Sequence, residues 1–218
     1  MNSAVIQLLV LAGIAIFLIL RLKNVLGTRD GFEKPPTAAL RRGANRGDFE
    51  VIEGGPDRDI TDHAKDGSKA AKALAAMKAK EPSFGVSEFL GGARGAYEMI
   101  LMAFERGELD EIRPFLSKEV FETFTDVVAD REKQGLVVEA NFVGVREMAL
   151  AGATFDKKSS TGEVSVKFIG EMTSVVRNKS GDIVEGNASE VKRQKDVWTF
   201  ARKLGEDDPN WQLVATGE

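Results

Sequence analysis

The sequence predicts an α+β fold: helices first, an antiparallel sheet after them, all behind a membrane anchor and a linker. Three observations carry this expectation. Ala4 to Leu20 is an uncharged apolar run, apolar residues recur at three- and four-residue steps from Val86 to Val128, and after Gly135 the period changes to two. Helices followed by a meander of strands predict helices packed on one face of a strongly curved antiparallel sheet.

The apolar run has Gln7 as its one strongly polar residue. As a helix, Ala4–Leu20 spans roughly 25 Å, close to a hydrocarbon core of about 30 Å. A cleaved signal would carry its positive charge before the run and small residues after it. Here Arg21, Lys23 and Arg29 follow it, and Leu20-Arg21-Leu22-Lys23 offers no small-residue cleavage site. Residues 4–22 are therefore expected to be a retained transmembrane anchor, with those three cations as its membrane flank. The positive-inside rule then places the N-terminus outside and the remaining chain in the cytoplasm.

Residues 23–65 are expected to be a disordered linker, since GTRDGFEKPP, RRGANRGD and EGGPDRD bring Gly, Pro and charge with little to bury. Asp57, Asp59 and Asp62 lack the spacing of a calcium loop and read as solvated charge. Residues 66–81 form a Lys/Ala-rich helix stopped by Pro82. Lys69, Lys72, Lys78 and Lys80 border its thin apolar face.

The folded domain is expected over 84–218. Val86, Phe89, Leu90, Ala93, Tyr97, Ile100, Leu101 and Phe104 mark the buried face of a long helix ending at Arg106-Gly107. Gly91, Gly92 and Gly95 weaken that helix and admit close approach of another element. A short helix follows over Leu109–Leu116, with Pro114 inside it. Ser117 then caps a third helix, which Gly135 closes. Strands are expected near Val138–Met148, Ala151–Asp156, Val164–Glu171, Val191–Ala201 and Trp211–Ala215, with a hairpin around Val175–Val184.

Composition narrows the chemistry. The chain has no cysteine, which excludes disulfides, thiolate metal sites and a cysteine nucleophile. Its single histidine, His63, falls in the expected linker and reads as solvated, so a histidine-centred triad has no support. From Phe84 onward there are 17 basic and 24 acidic residues, about −7, so no nucleic acid is expected as a partner. Phosphate-binding, dinucleotide and zinc spacings are missing, and Asp110-Glu111 and Glu206-Asp207-Asp208 read as loop charge. No metal, no cofactor and no catalytic residue is expected. Tyr97, the one tyrosine, reads as a core aromatic whose hydroxyl reaches a partner at the edge. Trp198, Phe200 and Trp211, with Phe142 and Phe168, fit either a core stripe or the lining of a ligand groove.

An ordered set of residues carries a family resemblance. Phe84, Phe89-Leu90-x-Gly-Ala, Tyr97, Ile100 and Ala103-Phe104 come first. Val120-Phe121-x-x-Phe124, Asp196-Val197-Trp198-Thr199-Phe200 and Pro209-Asn210-Trp211-x-Leu213 follow. The set resembles the Tim44-like family, which includes the C-terminal domain of the mitochondrial import-motor scaffold and membrane-anchored α-proteobacterial relatives. FLILRLKNVLGTRDGFE resembles the bacterial members. The resemblance implies a cone-like domain related to the nuclear-transport-factor fold, with a hydrophobic groove to which Tyr97, Phe142, Phe168, Trp198, Phe200 and Trp211 contribute. It also implies a non-enzymatic scaffold at the inner face of a bacterial inner membrane. Membrane lipids hold the anchor, and unidentified protein partners related to translocation, a chaperone or the ribosome dock there. The short linker does not reproduce the N-terminal half through which the mitochondrial scaffold recruits its chaperone, so no residue inherits chaperone docking. A lipid- or peptide-binding module is the alternative, and a cone-fold enzyme ranks last.

Overall fold

The computed structural model describes residues 57–217. The expected anchor with Arg21, Lys23 and Arg29, and most of the expected linker, lie outside them. Among the described residues no helix is long and apolar enough to cross a membrane.

The linker reading fails at its C-terminal end. Arg58–Thr61 forms a one-turn helix, α1, that buries Ile60. Asp59 is no solvated charge: its carboxylate accepts the backbone N–H groups of Val86 at 2.7 Å and Ser87 at 2.8 Å. It thereby serves two of the unpaired donors that every helix N-terminus presents. Lys78 bridges Asp57 and Asp59, at 2.7 Å to each. His63, also expected to be solvated, places Nε2 3.0 Å from the Ser87 hydroxyl.

Helix α2 (Lys69–Lys80) is capped by the Ser68 side chain, which accepts from Ala71 N–H. It buries Leu74 and Met77 completely and packs on the first strand. Helix α3 (Val86–Arg106) ends on Gly107, which takes φ 78°. Leu109–Ile112 forms α4, and Pro114 continues it as a 3-10 turn over Arg113–Phe115. Ser117 caps α5 (Lys118–Gln134), and Gly135 closes it in the left-handed conformation.

The sheet has four antiparallel strands in sequence order: β1 (Val137–Asp156), β2 (Thr161–Arg177), β3 (Ile183–Lys203) and β4 (Gln212–Gly217). The two strands expected between Val138 and Asp156 are one. Its ladder to β2 survives three register shifts, at Phe142/Gly144, Val145/Glu147 and Leu150/Gly152. Such bulges bend and twist a strand without ending it. β4 pairs with β3 from Val197↔Gly217 to Ala201↔Gln212, and its outer edge is met at Leu213 by Leu116 and the Ser117 N–H.

The core lies between the sheet and α2–α3. Val164, Val166 and Phe168 of β2 and Trp198 and Phe200 of β3 meet Tyr97, Ile100 and Ala93 of α3. Full burial of each large side chain contributes roughly 1.5–3 kcal/mol. Gly170 leaves room for Tyr97: a Cβ there would stand 2.6 Å from its hydroxyl oxygen.

Candidate functional site

The sheet's two-residue alternation sends Tyr97's neighbours inward, and the result is a core column rather than a groove. The Tyr97 ring stacks on Phe168 with centroids 4.4 Å apart and planes 13° from parallel. Trp198 approaches it at 4.7 Å and Phe142 at 6.1 Å, while Phe200 continues the column 6.3 Å beyond Trp198. Tyr97, Phe168, Trp198 and Phe200 are buried, and Phe142 is partly buried against them. The apolar face of α3 fills the space that a groove along these residues would need.

The Tyr97 hydroxyl finds its partner inside the core, not at the edge. It donates to Asp196 Oδ2 at 2.6 Å, and Gln194 Nε2 donates to Oδ1 at 3.1 Å. Burial pushes the Tyr97 hydroxyl well above the ordinary phenol range, and the carboxylate that accepts its proton pushes it further. The proton therefore stays on the Tyr97 oxygen, directed at the carboxylate. Asp196 shares the two-residue phase of Trp198 and Phe200, and that was the signal in the sequence for its inward direction.

An open cleft of about 470 Å³ lies beside the column, where the first turns of α3 meet the end of β3 and the approach to β4. Phe84, Phe89, Phe115, Phe200 and Trp211 form its apolar walls, with Gly92, Ala93 and Ala96 on the α3 side. Trp211 stands 4.7 Å from Phe89 and 5.7 Å from Phe84, centroid to centroid. Of the six residues expected to line a groove, Phe200 and Trp211 line this one. Tyr97, Phe142, Phe168 and Trp198 do not.

Arg202 and Glu81 form the polar end of the cleft. They are ion-paired, and Arg202 also donates to the Pro209 carbonyl at 3.1 Å and lies over the Trp211 ring at 5.4 Å. The Gly205 N–H, at 2.9 Å, and the Arg202 guanidinium hold the Glu81 carboxyl below its ordinary range. Arg202 Nε is buried and has no hydrogen-bond partner among the described residues. Neither residue stood out in the sequence, although Arg202 continues the phase of Trp198 and Phe200. An apolar chain or side chain fits the aromatic walls, and an acceptor group fits the guanidinium end. A second, charged depression of about 780 Å³ lies on the strands, where Glu171 sits between Arg146 and Arg193 at 3.4 and 3.0 Å.

The Tim44-like domain profile matches residues 70–218, which takes in α2 as well as the expected domain. The chain belongs to the Tim44-like domain family. Mitochondrial import inner membrane translocase subunit TIM44-1 of Arabidopsis thaliana is 22% identical over 143 residues, covering 63% of this chain. The human subunit TIM44 is 25% identical over 138 residues, covering 62%. The chain spans 30% of the length of either curated relative. The crystal structure of the intermembrane space region of chloroplast protein ARC6 aligns at 14% identity with a TM-score of 0.41, covering 59% of this chain and 94% of that one.

Proposed function

We infer that this Tim44-like protein is a non-enzymatic adaptor, anchored in a bacterial inner membrane by residues 4–22, whose domain docks partner proteins on the cytoplasmic side. Family membership across residues 70–218 carries the reading. The charge order around the apolar run supports the orientation. Holding the domain at the membrane raises the local concentration of its partners without new contacts. Carbonate extraction and protease protection in sealed spheroplasts test the anchoring. Loss of the chain from membranes in alkaline carbonate, or digestion of the domain from outside, ends the proposal. Crosslinking in intact membranes followed by purification tests the docking, and recovery of no specific protein would count against it.

The aromatic cleft favours a second reading, a lipid- or peptide-binding module. Native mass spectrometry of the purified chain, with and without added lipids or apolar peptides, separates the two. Catalysis is not assigned to Tyr97 and Asp196, because the pair is enclosed in the core and neither residue lines the aromatic cleft.

A further inference from the structure

The aromatic cleft carries a charge pattern that its apolar walls do not require. Three ionisable residues line it: Glu81, Glu88 and Arg202. Glu81 and Arg202 pair with each other. Glu88 pairs with no cation among the described residues, so two carboxylates against one guanidinium leave the lining at −1. Glu88 is exposed, and Gly92 and Ala96 follow it at four-residue steps down one side of α3; all three line the cleft. Asp208 adjoins the wall residue Pro209 and adds a second carboxylate there. It accepts from the Asn210 N–H at 2.9 Å and from its side-chain amide at 2.8 Å, and it likewise meets no cation among the described residues.

The polar end asks for something different. The Arg202 side chain is 10% exposed, its charge is matched by Glu81, and its Nε–H has no partner among the described residues. What it lacks is a neutral acceptor, not a second anion. These features choose between occupants. A fatty acid or an anionic lipid would bring its own negative charge to a lining that is already net negative, on a domain of about −7 from Phe84 onward. A polypeptide segment brings main-chain carbonyls for Arg202 and an apolar side chain for the walls of Phe84, Phe89 and Trp211. Where it carries lysine or arginine, it also brings a cation for Glu88. The volume of about 470 Å³ lies within the roughly 300–1,000 Å³ of ordinary ligand sites.

We propose that the aromatic cleft binds a polypeptide segment in which an apolar anchor is flanked by lysine or arginine. The rings of Phe84, Phe89 and Trp211 hold the anchor, and Glu88 selects the charge of the flank. This inference rests on the reading of the cleft as a binding module and names what that module takes.

Tryptophan emission reads the test directly, because Trp211 is half-buried on the cleft wall while Trp198, the other tryptophan, lies in the core. The full chain is held in phosphatidylcholine nanodiscs, which keeps detergent out of the cleft. It is titrated with three acetylated, amidated hexapeptides, GKLFKG, GELFEG and GKSSKG, and with oleate. GKLFKG should shift the emission saturably, GELFEG should bind about fivefold more weakly, and GKSSKG should not bind. Glu88→Lys should erase or reverse the preference for GKLFKG over GELFEG. Gly92→Leu should abolish binding, since a side chain at Gly92 meets no atom within 4 Å and fills the cleft from the α3 side. Circular dichroism melts check that both variants fold. The unaltered chain gives an independent reading, because its charge preference should shrink between about 50 and about 500 mM salt. Equal binding of GKLFKG and GELFEG, a preference untouched by Glu88→Lys and by salt, or binding that survives Gly92→Leu overturns the proposal. Response to oleate alone also overturns it and leaves a lipid module standing. Silence toward oleate and every peptide removes the binding-module reading as well.

Discussion

Replacing Tyr97 with Phe isolates one oxygen atom in an otherwise unchanged core. The ring keeps its stack on Phe168 at 4.4 Å and its contact with Trp198 at 4.7 Å. What is lost is the 2.6 Å bond to Asp196, a residue 8% exposed that keeps Gln194 as a donor. A hydrogen bond to a charged acceptor contributes about 1.5–3 kcal/mol, and this one is short and buried. With Gln194 still in place, we expect a loss of about 2 kcal/mol. For a urea dependence of about 2 kcal/mol per molar, that moves the unfolding midpoint down by about 1 M. The fluorescence of buried Trp198 reports the transition directly. The pH dependence gives a second reading of the same bond. The folded hydroxyl is raised above the free phenol, so its contribution is complete below about pH 10 and is lost as pH rises toward the folded value. Tyr97→Phe should remove that alkaline decline. A midpoint shift under about 0.2 M, with the alkaline decline intact, would refute the idea that this bond holds the core.

Three further outcomes follow from the geometry. Asp59→Asn should cost about 1–2 kcal/mol through the weakened α3 cap and lost Lys78 bridge, read by urea melts. Hydrogen bonds from Lys78, Ser87 and Val86 outweigh burial and hold the Asp59 carboxyl well below its ordinary range, so this contribution is present above about pH 4 and fades as pH falls below it. Gly170→Ala and Gly91→Ala should diverge in sign. The first presses a methyl against the Tyr97 hydroxyl and should cost about 1–3 kcal/mol, while the second meets open space and should add about 0.5–1 kcal/mol in thermal melts at low concentration. Trp211→Ala opens the half-walled cleft beside Phe84 and Phe89; it should lower stability by about 2 kcal/mol and reduce crosslinked partner recovery at least about tenfold if the cleft is the docking site.

Local chemistry made the helices easy to read. Ser117 marks a start and Gly107 and Gly135 mark stops, and each signal is complete within a few residues, whereas the Ser68 cap that starts α2 emerged only in the structure. The continuity of β1 was not readable, because its bulges are fixed by the ladder to β2 and not by any residue in β1 alone. Asp59 was misread for a related reason. Its partners Val86 and Ser87 are more than twenty-five positions away, and a composition of Gly, Asp and Arg says nothing about them. The groove was legible only in part. Alternation predicted which aromatic residues turn inward, but whether an inward residue meets a helix or an opening depends on where α3 lies. Phe168 and Trp198 meet Tyr97 on α3, and Trp211, outside the β4 ladder, meets the opening.

The seam between α1 and α3 decides how mechanical load enters the domain. Tension arriving along the chain from the N-terminal side reaches Asp57 and Asp59 before any strand, and these carboxylates are latched to Lys78, Val86 and Ser87. Pulling there strains the latch, α2 through Lys78, and the first turn of α3, which is one edge of the aromatic cleft. A tug strong enough to open the latch would alter that edge first, so the cleft sits where force on the chain is felt.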